Sequence, residues 1–442
     1  MKESSEALEG PSLLDAPLPA SGSHVPFRVV ALVALLFYVG SCCMMAVLSL
    51  RRAKLYNNWD VLTSDEKRKF AAFERNDRKR LGLVRTALGG LFLLPWRMPL
   101  AFFLVISNGI CISLLGWWFG RRVQTVSSEQ KREQHRRFVW WCTSLHCRAL
   151  LYVMVCVSEH RECSNAEVVQ EITDDSPVFT LARSERPPAQ VVKPRNACRC
   201  SYLPQGTRVD SALSVGILQI REHYLANKDH PDKKPAGQPR ILVSNHVSCL
   251  DIPYFIITSF AAFVSKSSLS TTPFIGIAAN NLGCIYVDRE SNDDRAAALE
   301  KIKERQYQCC TDPHTNALVI FPEGTTTNGR CLLQFRRGGF SAFCRVQPVL
   351  LVYRCGYFDL AFELLPSFDW MVLSLSSVGL TRLDAYWLNP VDPPPPEKYQ
   401  SVEERATAFA NLVSARADVD GDAEAKSVGP QVAKMQRWCR QS

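Results

Sequence analysis

His246 and Asp251 lie five residues apart in Val243-Ser-Asn-His-Val-Ser-Cys-Leu-Asp251, directly after a short apolar run. An imidazole steered by a carboxylate is an oriented general base: the acid holds one ring nitrogen, and the other takes a proton from an incoming hydroxyl. On a helix, positions i and i+5 point about 140° apart at roughly 100° per residue, so the two cannot touch as interior helical residues. The chain must bend between them, with His246 leaving a strand and Asp251 opening a helix that carries Pro253 in its first turn. The plainer reading of the same residues is an aspartate that caps a helix beside a satisfied loop histidine.

A second polar stretch, Phe321-Pro-Glu-Gly-Thr-Thr-Thr-Asn-Gly329, follows the apolar Ala317-Leu-Val-Ile320. A Glu-Gly-Thr turn past a buried strand can hold an anionic substrate. Between the two lies Gly283-Cys-Ile-Tyr-Val-Asp-Arg289, a glycine before a strand and an arginine after it. Guanidinium suits bidentate phosphate recognition, while the bland alternative is a surface ion pair. Cys249, three residues after His246, makes a covalent acyl-cysteine route conceivable, against the commoner case of a cysteine that simply packs.

These residues need strands to carry them. Ile241–Val243, Ala279–Val287, Ala317–Phe321 and Val346–Tyr353 are short β-prone runs, with helical stretches such as Asp294–Gln308 between them, and Ile252–Val264 reads as helix and then strand. The alternation argues for an α/β domain with a largely parallel sheet flanked by helices and active groups at the C-terminal strand ends. Upstream, Ala212–Leu225 keeps a helical spacing of apolar residues, which predicts a helix inside a Pro-rich segment.

Phe27–Leu50 is an apolar run, with Arg28 near its start, long enough to cross a core of about 30 Å at about 1.5 Å per residue. Arg51, Arg52 and Lys54 close it as a stop-transfer signal would, and it is longer than a signal-peptide core and lacks a basic leader. That charge places residues 51–97 on the cytosolic face. Met98–Phe119 is a second span, with Trp96 and Arg97 at one end and Trp117 and Trp118 at the other as interface anchors. The basic residues beyond it, from Arg121 to Arg137, favour the same side, so a crossing competes with a re-entrant hairpin begun by Leu88–Leu94 and turned at Pro95 and Pro99. Phe138–Val157 carries His146 and Arg148 mid-run and reads as interfacial or packed against protein. The expected layout is a disordered 1–26, a membrane-associated helical region over 27–157, an insertion or linker over 158–238, the α/β domain over 239–415 and a tail over 416–442.

The chain has 442 residues, 47% of them hydrophobic and 21% charged, with a net charge of +9 concentrated after the first span. Contact with anionic headgroups fits a basic run beside apolar spans, and no nucleic-acid motif accompanies it. Seventeen cysteines include no Cys-x-x-Cys pair, so neither a zinc site nor a disulfide framework is expected, and reduced cytosolic thiols are the plainer account. Asp418-Val-Asp-Gly-Asp422 lacks the glycine and the closing glutamate of a calcium loop.

The four blocks Asn245-His246-x4-Asp251, Gly283-x5-Arg289, Phe321-Pro-Glu-Gly-Thr325 and the strand opening at Val346-Gln-Pro-Val349 resemble, in this order, the glycerolipid acyltransferase family. Lys266, Pro273, Gly276 and the stretch Phe335–Phe340 fit as flanking positions, and the Pro-Glu-Gly-Thr-x-Thr-Asn form is most similar to lysophosphatidylcholine and lysophosphatidylethanolamine acyltransferases. The resemblance implies that His246 and Asp251 are the catalytic pair, that Gly283 and Arg289 bind the acceptor phosphate, and that Glu323, Gly324 and Thr325 complete the acceptor site, with Asn245 and Lys266 in support. It further implies transfer of an acyl group from acyl-CoA to a lysophospholipid, with no metal and no bound cofactor, at a membrane such as the endoplasmic reticulum. Lysophosphatidic acid or glycerol 3-phosphate as acceptor, and a non-catalytic lipid-binding scaffold, are the competing readings. The intact His246, Asp251, Arg289 and Glu323 weigh against the scaffold.

Overall fold

The computed structural model describes residues 27–56, 62–155 apart from 76, 78, 79 and 122–127, then 157–158, 218–224, and 237–417 apart from 288–291, 313, 331, 356, 363 and 378–380. Arg289, the acidic stretch 418–422 and most of the segment expected as an insertion lie outside the described residues.

Eight strands form one sheet: β1 (Val157–Ser158), β2 (Leu218–Tyr224), β3 (Ile241–Ser244), β4 (Ala262–Lys266), β5 (Ile285–Val287), β6 (Leu318–Ile320), β7 (Gln347–Cys355) and β8 (Thr381–Trp387). Their spatial order is β1-β2-β8-β7-β3-β6-β4-β5, and every pair is parallel except β7 with β8. In β3 all four residues are buried, as expected of a parallel strand covered on both faces. The side chains alternate accordingly. Leu242, Phe263, Val319, Val349 and Leu351 join one apolar cluster, and Ile241, Val243, Ala262, Leu318 and Ile320 join the other.

The ten α-helices are α1 (Phe27–Tyr56), α2 (Ser64–Lys69), α3 (Leu83–Phe92), α4 (Leu94–Arg121), α5 (Ser128–Val155), α6 (Asp251–Ser259), α7 (Ile275–Leu282), α8 (Asn292–Thr311), α9 (Ser367–Leu375) and α10 (Val402–Ala417), counted among the described residues. Residues of α1, α4, α5, α6 and α9 pack into the first cluster, while α10 seats Phe409 and Val413 in the second. Two helices, Phe27–Leu55 and Leu94–Trp118, are long and apolar enough to cross a membrane.

Several expectations change. Leu218–Tyr224 is a strand, not part of a helix: Ile220 and Tyr224 alternate inward, and pairing with β8 along seven residues overrides the helical spacing. This strand places part of the expected insertion inside the main sheet. Ala279–Val287 divides into the end of α7 and the strand β5 at Gly283, whose left-handed φ of +77° stops the helix. No reversal occurs at Pro95 or Pro99; the break falls at Leu93, and α4 continues through Pro99. Arg97 is not an interface anchor either. It is fully buried, donating to the Leu375 and Ser377 carbonyls at 3.2 and 3.1 Å, so a cation sits at the negative end of α9. At the other end of α9, Asp369 accepts from Arg52 of α1 at 2.6 Å.

Candidate active site

The loop between β3 and α6 closes around one carboxylate. Asp251 opens α6, and its Oδ2 accepts the Val247 N–H at 2.8 Å, the Ser248 N–H at 3.0 Å and the His246 Nδ1–H at 2.8 Å. Its Oδ1 accepts the Tyr353 hydroxyl from β7 at 2.7 Å. Two backbone bonds force the bend that brings positions i and i+5 together, and Pro253 fits the first turn because it has no N–H to leave unpaired. A carboxylate only accepts, so the proton of the imidazole lies on Nδ1 and the Nε2 lone pair is left for chemistry. Among the described residues nothing bonds Nε2.

The ring's plane is fixed as well as its tautomer. It stacks on Phe321 with centroids 4.0 Å apart and planes 13° apart, and the side chain remains 20% exposed beside a fully buried Asp251. Burial, and then the adjoining Asp251, push the Tyr353 phenol well above its ordinary range, so it stays an O–H donor.

Glu323 lies just past β6 but does not present its carboxylate to solvent. It is 1% exposed; Oε1 accepts the His246 backbone N–H at 3.0 Å and Oε2 the Leu333 N–H at 2.9 Å. Burial pushes its carboxyl up to about 8 against the opposing pull of those two N–H bonds, with Asp251 adding to the rise. The Thr327 N–H returns to the His246 carbonyl at 2.8 Å, so the Glu-Gly-Thr turn grips the histidine backbone from both sides. Asn245 has a similar task, exchanging two bonds with Leu351 of β7 at 2.9 and 2.8 Å. Thr325 is half-buried in the same turn, between Glu323 and Thr327.

Gly324, at φ +75°, occupies the left-handed region, and a methyl there would sit 2.7 Å from Cζ of Arg336. Gly283 is elsewhere. The pairings Ile241↔Leu318, Ala262↔Leu318 and Val264↔Ile285 set it level with Ile241, at the N-terminal strand ends. It is roughly 15 Å along the strands from His246 and three strands across. There it borders a polar cleft of about 450 Å³ with Arg136, Arg305 and His314, on the edge opposite His246. Lys266 ends β4 on the His246 edge and is exposed. Burial and the neighbouring Asp251 push the Cys249 thiol upward, which disfavours the thiolate an acyl-cysteine route needs.

The sequence reading assigns Tyr353 no part in the site and takes Asn328 and Arg336 only as members of flanking stretches, without a role of their own. The side-chain amide of Asn328 donates to the Ala71 and Glu74 carbonyls at 2.7 and 2.9 Å, clasping the segment between α2 and α3 to the Glu-Gly-Thr turn. Next to that clasp, Arg75 and Asp77 form a buried ion pair at 2.6 Å, and Arg75 also donates to the Asp359 carbonyl.

Residues 226–352, which include the His246–Asp251 pair and the Glu-Gly-Thr turn that grips it, match the family model described as Acyltransferase. The chain is matched over less than a third of its length. It is 35% identical over 211 residues to lysophospholipid acyltransferase LPEAT1 of Arabidopsis thaliana, covering 46% of this chain and 52% of that protein. It is 35% identical to lyso-ornithine lipid O-acyltransferase of Pseudomonas aeruginosa, over 26% of this chain and 44% of that one. It is 32% identical to lysophosphatidylcholine acyltransferase 2 of Rattus norvegicus, over 27% of this chain and 21% of that one. The chain thus spans about half the length of the first and less of the others.

Proposed function

We propose that this protein is a membrane-bound, acyl-CoA-dependent lysophospholipid O-acyltransferase. The observation that carries the reading is the 2.8 Å bond from His246 Nδ1 to a buried Asp251, with Nε2 left for the acceptor. The names of the similar proteins support the lysolipid acceptor.

In this mechanism Nε2 takes the proton of the acceptor hydroxyl as its oxygen attacks the thioester carbonyl carbon. The C–S bond then breaks, the acyl C–O bond is complete, and the coenzyme A thiolate leaves with the proton from Nε2. A thioester is already activated, so orientation supplies much of the rate, and the fixed imidazole plane serves that end. Glu323 and Asn245 act as positioning residues through the His246 loop, with Gly324 and Thr325 shaping the acceptor side. Lys266 stands at the same strand edge, and Arg289 is proposed for the acceptor phosphate on its motif alone. The two apolar helices hold the domain at the bilayer, where both lipid substrates reside; endoplasmic reticulum residence with the domain facing the cytosol agrees with the basic flank after α1.

Purified protein in micelles, given one acyl-CoA and a mixture of lysolipids with glycerol 3-phosphate, should yield diacyl phospholipid by mass, and His246→Ala should yield none while folding normally. Product only from lysophosphatidic acid or glycerol 3-phosphate would move the acceptor assignment. Full turnover in His246→Ala, or no turnover in the wild type, would overturn the proposal.

A further inference from the structure

We propose that Arg336 is a further cation of this site that recognises a substrate phosphate, beside the Arg289 named above on its motif, an inference resting on the acyltransferase reading above. After the Glu-Gly-Thr turn the chain doubles back over it. The Leu333 N–H donates to Glu323 Oε2 at 2.9 Å and the Arg336 N–H to the Pro322 carbonyl at 3.0 Å, so the segment is registered against the turn at two points. The Arg336 guanidinium then lies against the open side of Gly324, where a side chain would meet Cζ at 2.7 Å and Nε at 2.8 Å. Glycine is required there twice, for its φ of +75° and for the space the guanidinium fills.

The same turn holds the histidine, through Glu323 on one flank and Thr327 on the other. A cation seated on it keeps a fixed relation to the base. Buried Phe335 and Phe340, stacked with centroids 6.3 Å apart, anchor the segment on either side, yet Arg336 itself remains exposed. A residue whose backbone is registered at two points while its side chain stays exposed can meet a phosphate with little backbone ordering left to do. Two substrate phosphates share that chemistry: the diester of the lysophospholipid and the phosphates of coenzyme A. Arg337, one residue on and also exposed, opens the 3₁₀ turn Arg337–Phe340 and supplies a charge-matched control.

The test is steady-state kinetics of Arg336→Gln and Arg337→Gln, with melting temperatures, using lysophosphatidylcholine or a phosphate-free monoacylglycerol as acceptor and acyl-CoA or acyl-pantetheine as donor. Arg336→Gln should raise one KM about 10- to 100-fold, the loss of a charge-assisted pair, while kcat changes less and Arg337→Gln matches wild type. A rise confined to lysophosphatidylcholine assigns the acceptor phosphate; a rise confined to acyl-CoA assigns the donor. In parallel, Kd values for sn-glycero-3-phosphocholine and for free coenzyme A need no turnover, and one of them should weaken in Arg336→Gln. Both KM and both Kd values unchanged, or Arg337→Gln equally impaired, would overturn the assignment. Absence of wild-type turnover would instead strike the acyltransferase reading, leaving the binding arm to decide on Arg336.

Discussion

Glu323 reaches His246 through the backbone: its Oε1 accepts the histidine's main-chain N–H at 3.0 Å, while the imidazole takes its partner from Asp251. The two polar motifs are therefore coupled by a buried acid that fixes where the histidine stands, and by a second acid that fixes which way its ring faces.

Asp251 and Tyr353 are separable by kinetics. Asp251→Asn offers Nδ1 an amide in place of a carboxylate and permits the wrong tautomer, so kcat should fall about 10²- to 10⁴-fold with the protein still folded. Tyr353→Phe removes one hydroxyl bond to Oδ1, worth about 1 kcal/mol, and kcat should fall about 5- to 10-fold with both KM values near wild type. Equal effects of the two variants would show that Tyr353 does more than orient the acid.

The buried Glu323 makes stability depend on pH. Its carboxyl titrates near 8 in the folded protein against an ordinary value of 4.5, so the folded state binds the extra proton between those limits. Its contribution is then fully present below about pH 4.5 and is lost as pH rises through about 8. Melting temperatures of wild type and Glu323→Gln from pH 5 to 8 should show the wild-type advantage shrinking with pH. A gap of constant size would contradict the shift.

Gly283 separates the geometry from what the family motif implies. Gly283→Ala puts a side chain at φ +77° and within 3.1 Å of the Arg305 guanidinium, so stability should fall by about 1–2 kcal/mol. Because the residue stands at the far edge of the sheet, the acceptor KM of the surviving folded protein should not move. An acceptor KM raised tenfold would restore Gly283 to the acceptor site.

Asn328→Ala removes both bonds to the segment between α2 and α3. Stability should drop by about 1–3 kcal/mol, and amide exchange should quicken at Phe73, whose core contact with Leu333 depends on that clasp. Unchanged exchange there would show that Arg75 and Asp77 suffice.

What could be read from the chain beforehand follows sequence distance. The His246–Asp251 contact spans five residues and is set by a local bend, so spacing and Pro253 announce it. The partners that define Asn245 and Tyr353 lie 106 and 102 residues away, and nothing near those residues signals them. Apolar runs disclosed β3 and β6, which pair in parallel on both sides and are buried at every residue, and β7, whose first five residues are buried. The strand at Leu218–Tyr224 escaped because its alternation overlaps a helical spacing, and the choice is made by β8, far along the chain. Arg97 looked like a membrane-interface residue because composition cannot show that two carbonyls, at the end of a short helix and just past it, await it.

That short helix, Ser367–Leu375, is a strut pinned at both ends, by Arg52 from the first apolar helix and by Arg97 from the second. Because both apolar helices grip the same short helix, shifting either one against the α/β domain would break an ion pair at one end or two carbonyl bonds at the other.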